Sequence, residues 1–465
     1  MCRRWTISNL YPVVAVSNLT SAIQRIKSRF SDGVKKPVKP GLFYFDYQEN
    51  GERSRVHLRL DPDGSGLLVV NASRIMHLNP TAAQMALHIL RKTPREKALQ
   101  ALAKSYAVSK NQLSTDYAQI TYQINELIKP VGACPIHDLN LEVTPPFSTR
   151  PMAPYRMDLA ITYRCNNDCA HCYNARPREY PEISTADWHR VLDKLWSIGI
   201  PHVVFTGGEP TLRKDLPELI AHAQQNGQIT GVNTNGRRLS DPEYVEVLVN
   251  AGLDHVQITL ESHDADIHDT MVNSRGAWNQ TTAGIRNVLE TPLYVMTNTT
   301  MLKNNSMGLK QTLEFLAILG VPTIGLNALI YSGRGLTVNS GVAETDLPPL
   351  LNIARQMTAE HNQRLIWYTP TQYCNFDPMQ LELGVKGCSA AMYNMCVEPN
   401  GDVIPCQSYY LSVGNILTSS WKSIWNHDLS IYLRDHKYLP EKCNGCALVR
   451  ECGGGCPMMI TNNRN

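Results

Sequence analysis

Three cysteines, Cys165, Cys169 and Cys172, stand at CxxxCxxC spacing in the run ITYRCNNDCAHCYN. They supply three close thiolates and no fourth. Three thiolates can hold three irons of a 4Fe–4S cube and leave the fourth iron open. A structural zinc site wants four closed ligands, and an electron-transfer cluster usually has four cysteines. The spacing therefore points to a cluster that does chemistry at one corner. The competing reading is a zinc ion held by three cysteines and a distant histidine.

Thirteen cysteines are too many for idle core positions, and eight of them lie between Cys374 and Cys456. In a large chain expected in the cytoplasm, metal explains such a group better than disulfides do. Cys2 and Cys134 stand apart from both groups and read as small, partly buried residues.

A chain of 465 residues is too long for one core, so two to four domains are expected. A net charge of +3 calls for neither nucleic acid nor a membrane. No apolar run approaches the roughly 18 residues of a membrane span. The N-terminal stretch lacks a clear cleavage site, so a cytoplasmic protein is expected.

These cysteines must be positioned by folded elements. Residues 1–40 read as a basic, irregular extension with a possible helix near 18–31. Over 41–130 come four short strands, GLFYFDY, RVHLRL, GLLVVN and RIMHL, with turn signals at Asn50-Gly51 and Asp63-Gly64. Three helical patterns follow, the first capped by Asn79 with Pro80 at its first position. The third carries Leu113, Tyr117, Ile120, Ile124, Leu127 and Ile128 at helical period. That makes a small winged-helix-like α+β domain, followed by a Pro-rich linker over 131–155. From 156 to 365 strands alternate with helices: MDLAITY, PHVVFT, ITGVNT, DHVQITL, LYVMTNTTM and PTIGLNALI. About six βα units imply an α/β fold, a partial (β/α)6 barrel of TIM type. Ligands bind at the C-terminal strand ends of such barrels, and the cysteine triplet directly follows the first strand. Over 366–465 the alternation stops, and metal is expected to organise a Cys-rich domain.

On its triplet the chain resembles the radical S-adenosylmethionine (SAM) enzymes. The resemblance implies a 4Fe–4S cluster on Cys165, Cys169 and Cys172, with SAM on the open iron and a 5′-deoxyadenosyl radical as the reactive species. His171 takes a place where that family often has an aromatic residue. Gly207, Gly208, Glu209 and Pro210 form GGEP after the second strand and match the family's site for the SAM amino group. On the residues alone, two glycines let backbone approach a ligand, and Glu209 offers a carboxylate to an ammonium. Asn235 ends the third strand in Thr-Asn-Gly. Thr259 sits where relatives carry a strand-four serine that contacts SAM. Asn327 and the Gly333–Gly335 run end the sixth strand, near the expected adenosine.

The late cysteines resemble the SPASM extension of radical SAM enzymes, which holds two auxiliary iron–sulfur clusters, expected here as 4Fe–4S. By analogy Cys388, Cys396, Cys406 and Cys456 hold the first, and Cys443, Cys446 and Cys452 the second. The chain departs from the pattern by lacking a cysteine after Cys456. Three outcomes follow: Cys374 is recruited, a non-cysteine ligand completes the second cluster, or one iron stays open. Two zinc sites are the alternative that spacing allows. In sulfatase-maturing relatives an aspartate follows the cysteine at the place of Cys406; here it is Gln407.

The front domain is similar to PqqD-like peptide recognition domains, in the run GLLVVNASRIMHLNPTAAQMALHIL. Such domains bind a leader peptide as an added β-strand. A DNA-binding winged helix is the competitor, but the third helical stretch carries few positive charges. Together these resemblances imply a maturase that installs a thioether or carbon–carbon crosslink in a ribosomally made peptide. A low-potential electron donor such as flavodoxin or ferredoxin is the implied partner. The alternatives are a radical SAM oxidase or decarboxylase acting on a small molecule or tetrapyrrole, and a non-catalytic iron–sulfur regulator.

Overall fold

The structure is a computed structural model that describes residues 39–49, 52–106, 108–129, 150–177 and 179–462. The expected helix near 18–31, the turn at Asn50-Gly51, most of the 131–155 linker, Cys2 and Cys134 lie outside the described residues. The chain divides into two compact units.

In the first unit, strands β1 (Gly41–Glu49), β2 (Glu52–Leu60), β3 (Gly66–Val70) and β4 (Arg74–Leu78) form an antiparallel sheet in that order. Helices α1 (Pro80–Leu90), α2 (Arg95–Ser105) and α3 (Lys110–Ile128) follow. Asn79 caps α1 by accepting from the Ala82 N–H at 2.9 Å, as its place before Pro80 suggests. Val56, Leu58, Leu68 and Leu87 bury against Ile124 and Leu127 of α3. Each such side chain contributes about 1.5–3 kcal/mol. Arg74 of β4 donates to the carbonyls of Leu127 and Lys129, where a helix end welcomes a cation. The outer strands β1 and β4 each have one neighbour in this sheet.

The second unit is built on a nine-stranded sheet. Its parallel body comprises β5 (Arg156–Thr162), β6 (His202–Gly207), β7 (Ile229–Thr234), β8 (His255–Thr259), β9 (Tyr294–Met301) and β10 (Thr323–Ala328). These are the six strands expected from the sequence. Helices such as Thr185–Ile198, Leu216–Asn226 and Leu309–Leu319 connect them. Leu159, Phe205, Val232, Ile258 and Leu326 are fully buried in the core. Strand order follows chain order and the sheet stays open, which makes it a partial barrel.

The sheet extends past this body at both edges. β11 (Arg364–Trp367) adds to β10 in parallel. At the other edge, β12 (Asn394–Val397) pairs with β5 in parallel, and β13 (Val403–Ile404) pairs back on β12. The Cys-rich segment is thus stitched to the first barrel strand by backbone hydrogen bonds. Strands of two to four residues carry too little periodicity to be read from sequence.

Candidate functional site

The triplet lies in the loop after β5, at the C-terminal end of the strands. The chain fixes this loop from several sides. Asp168 and Ala170 donate their N–H groups to the carbonyls of Val272 and Met271. Arg237, just past β7, bonds to the Asn166 carbonyl at 2.5 Å and to the Asn167 side chain at 2.8 Å. The Asn235 amide donates to the Asn166 side chain at 2.7 Å. Burial pushes the Cys169 thiol up first, and Cys172, Glu261 and Cys165 beside it add to the shift. Iron reverses this, since a bound cation favours thiolates.

GGEP turns out to be a splice between loops. The Gly208 N–H donates to the Thr162 carbonyl and the Glu209 N–H to that of Arg164, both at 2.8 Å. A Cβ on Gly208 would lie 2.4 Å from the Arg164 oxygen, and one on Gly207 2.0 Å from the Thr162 oxygen. Both glycines are therefore required by the backbone leading to Cys165. Glu209 is fully buried. Its carboxylate accepts from the Thr211 N–H and hydroxyl, the Thr234 hydroxyl and the Asn235 N–H, at 2.7–3.1 Å. It is turned toward the Thr-Asn-Gly turn and already has four donors. These bonds tie the carboxylate expected to meet a ligand's ammonium to the neighbouring turn. Burial pushes its carboxyl up while these hydrogen bonds oppose the shift.

Glu209→Gln would set an amide N–H2 against donors already in place. Leaving a buried donor unpaired costs about 1–3 kcal/mol. The iron-free protein is expected to melt a few degrees lower, which thermal unfolding by circular dichroism checks.

His171 is buried, with Nε2 2.9 Å from the Glu261 carboxylate and Nδ1 lacking a hydrogen-bond partner among the described residues. Glu261 also accepts from the Thr300 N–H at 2.8 Å. Thr259 and Asn298 are register partners on β8 and β9, and Asn327 of β10 donates to the Asn298 side chain at 3.0 Å. Gly333–Gly335 packs on the cluster loop: the Arg334 N–H bonds to the Cys172 carbonyl at 3.0 Å, and its guanidinium to Asp168 at 2.6 Å. Arg237 and Glu261 escaped sequence reading, and Arg334 was reached only within the Gly333–Gly335 run, with no role of its own. Glu261 had a weak signal, directly after the ITL strand end.

A buried chain links this loop to the C-terminal region. Tyr173 donates to the Gln407 side-chain carbonyl at 2.5 Å. The Gln407 amide donates to Asp158 at 2.7 Å, and Asp158 also accepts from Asn394 and Arg156. Gln407 is thus an amide relay between a phenol and a carboxylate.

Two groups of thiols follow. Burial first, then Cys456 and Cys406, push Cys388 up. Burial pushes Cys452 and Cys443 up, and Cys374 adds to both shifts. Cys396 is fully buried against Ala160, Tyr163 and Ile404. Among the described residues no three His, Cys, Asp or Glu side chains close around a single metal ion. A cube places each thiolate on its own iron, so its thiolates stand further apart than those of one zinc.

Comparison with known proteins agrees with this geometry. Residues 159–316 match the radical SAM superfamily, and residues 388–447 match an iron–sulfur cluster-binding domain, SPASM. The AdoMet-dependent heme synthase of Methanosarcina barkeri is 28% identical over 319 residues, covering 65% of this chain and 91% of that protein. SuiB of Streptococcus suis bound to precursor peptide SuiA has the same fold, with TM-score 0.67 and 15% identity over 91% of this chain and 98% of SuiB. anSMEcpe with bound AdoMet and a Cp18Cys peptide aligns with TM-score 0.53 and 17% identity over 65% of this chain and 89% of its own. The chain therefore carries a radical SAM domain and a SPASM iron–sulfur domain. No described helix is long and apolar enough to cross a membrane.

Proposed function

We propose that this radical SAM enzyme modifies a ribosomally made peptide whose leader docks on the first unit. The observation that carries the reading is the sheet–helix unit of β1–β4 and α1–α3 in front of a radical SAM domain. A fold likeness covering 91% of the chain takes in most of that unit, and the matched protein was solved with its precursor peptide. Among the described residues β4 is an outer strand of its sheet, the place where an added strand would pair, and Arg74 anchors the end of α3 beside it.

Cys165, Cys169 and Cys172 would hold the 4Fe–4S cluster, and three thiolates leave one iron for SAM. When reduced, that pair supplies a 5′-deoxyadenosyl radical, the hard chemistry of the reaction. The chain's own part is positioning. Glu209 locks the second strand end to the third, and Asn235 and Arg237 hold the cluster loop. Asn298, Thr259 and Asn327 line the strand ends with neutral polar groups. Leader docking would raise the local concentration of the core segment at that mouth. The bond formed would be a thioether or carbon–carbon crosslink. Cys388, Cys406 and Cys456, and the set around Cys443, would hold auxiliary clusters able to accept the electron left by closure.

A second reading is a radical SAM enzyme acting on a tetrapyrrole, which the 28% identity to a heme synthase favours. Removal of residues 1–130 separates the two. The truncated, reconstituted protein is expected to make 5′-deoxyadenosine yet lose at least about tenfold in peptide product, because docking supplies effective concentration. Undiminished modification of a leaderless substrate, followed by mass spectrometry, overturns the peptide reading.

A further inference from the structure

The matched iron–sulfur domain begins at residue 388, so Cys374 lies outside it. Its surroundings nevertheless tie it to the late cysteines. The residue before it, Tyr373, donates its N–H to the Cys452 sulfur at 3.4 Å, and the Cys452 thiol faces the Thr371 carbonyl at 3.7 Å. The 371–374 segment therefore wraps the Cys452 side chain and delivers Cys374 beside it. Lys442 sits 3.8 Å from the Cys374 sulfur and immediately precedes Cys443. Cys374 thus shares its surroundings with Cys443, through Lys442, and with Cys452, through Tyr373.

Cys396 has the opposite surroundings. It is fully buried on β12, in register with Asp158 on one side and Ile404 on the other. Its thiol reaches the Val397 carbonyl at 3.6 Å and packs against Ala160 and Tyr163. Cys456 and Cys406 stand beside Cys388, and Cys396 meets this group through Cys406, with the Asp158 and Glu398 carboxylates also beside it.

We infer that Cys374, Cys443, Cys446 and Cys452 form a closed four-thiolate cluster site, while Cys388, Cys406 and Cys456 form a three-thiolate site with one exchangeable iron position and Cys396 as a core thiol. This rests on the reading that the C-terminal region holds two auxiliary clusters. Cys374 then supplies the fourth thiolate of the second cluster from upstream. An iron left without a protein thiolate takes a soft donor, so the class of ligand expected there is a thiolate.

The test uses the full-length chain with Cys165, Cys169 and Cys172 replaced by alanine, so that only auxiliary clusters form. After anaerobic reconstitution it is expected to bind about 8 irons, as two cubes do. No bound iron would overturn the auxiliary-cluster reading itself. Cys396→Ala added to it should keep the iron and the electron paramagnetic resonance of both clusters. Cys374→Ala should lose about half the iron or convert the second cluster to a three-iron signal. The reverse pattern, or equal retention by both variants, overturns the assignment. Iodoacetamide labelling of the parent chain makes the test independent of variant folding. Cys374, exposed in the structure, is expected to label in the iron-free protein and to be protected after reconstitution. Labelling that persists at full iron content overturns its role as a ligand. Benzeneselenolate should perturb the resonance of the first cluster in the reconstituted protein, and no perturbation overturns the exchangeable position.

Discussion

Gly208→Ala is expected to lower 5′-deoxyadenosine formation by about a hundredfold or more, the cost of misplacing a reacting group by about 1 Å. The methyl carbon would stand 2.4 Å from the Arg164 oxygen, 2.6 Å from the Tyr163 oxygen and 2.8 Å from the Tyr163 carbonyl carbon. All three are backbone atoms, so no rotamer change relieves the overlap. The loop must move, and the loop carries Cys165. Relief also breaks the Glu209 N–H bond to Arg164, made at 2.8 Å, and with it the alignment of the Glu209 carboxylate to Asn235. Gly41→Ala is the control, because a Cβ there meets nothing within 4 Å. Chromatography of dithionite-reduced, reconstituted protein reads the result. A Gly208→Ala rate within about threefold of the parent would show that the splice does not position the cluster loop.

The splice shows where sequence reading stops. The six parallel strands were legible because each is an apolar run followed by a helical pattern. The triplet and GGEP were legible as motifs at strand ends. The direction in which Glu209 points was not, because its partners Thr234 and Asn235 lie on the next strand end and only the fold brings them near. Arg237, Glu261 and Arg334 failed for the same reason. Each is a common charged residue whose partner on the cluster loop is between 70 and 166 positions away in the chain. Two β-strands of the C-terminal region, NMCV and VI, have no readable alternation and exist because β5 offers them an edge. Cys374 was legible as one of three ways to complete the second cluster, and the bond from Tyr373 to Cys452 shows how the fold brings its segment to the late group.

Asp158→Ala is expected to have the largest effect on stability. Asp158 is 1% exposed and accepts hydrogen bonds from Arg156, Asn394 and Gln407 at 2.7–2.9 Å. It sits on β5, the strand shared by the barrel and the C-terminal hairpin, so one carboxylate ties both. Alanine leaves a guanidinium without its counter-charge and two amide donors without an acceptor. Breaking a buried ion pair from one side costs about 3–5 kcal/mol. Arg156 is 35% exposed, so water recovers part of its share. The unpaired amides add about 1–3 kcal/mol, and a net loss of about 3 kcal/mol is the expected result. Asp158→Asn keeps the shape and one acceptor, and should lie between the parent and alanine. Because the chain has more than one unit, the midpoint of its cooperative melt is the proper comparison. The functional consequence separates this residue from an ordinary core position. Gln407, released from Asp158, no longer holds Tyr173, which directly follows Cys172. The cluster loop and the Cys406 region then lose one of their shared anchors, beside the Tyr410 hydroxyl bond to the Tyr173 carbonyl. The alanine variant should therefore form more 5′-deoxyadenosine per modified substrate than the parent, measured in one reaction mixture below its melting midpoint. Unchanged coupling together with a lowered midpoint would confine Asp158 to a structural role.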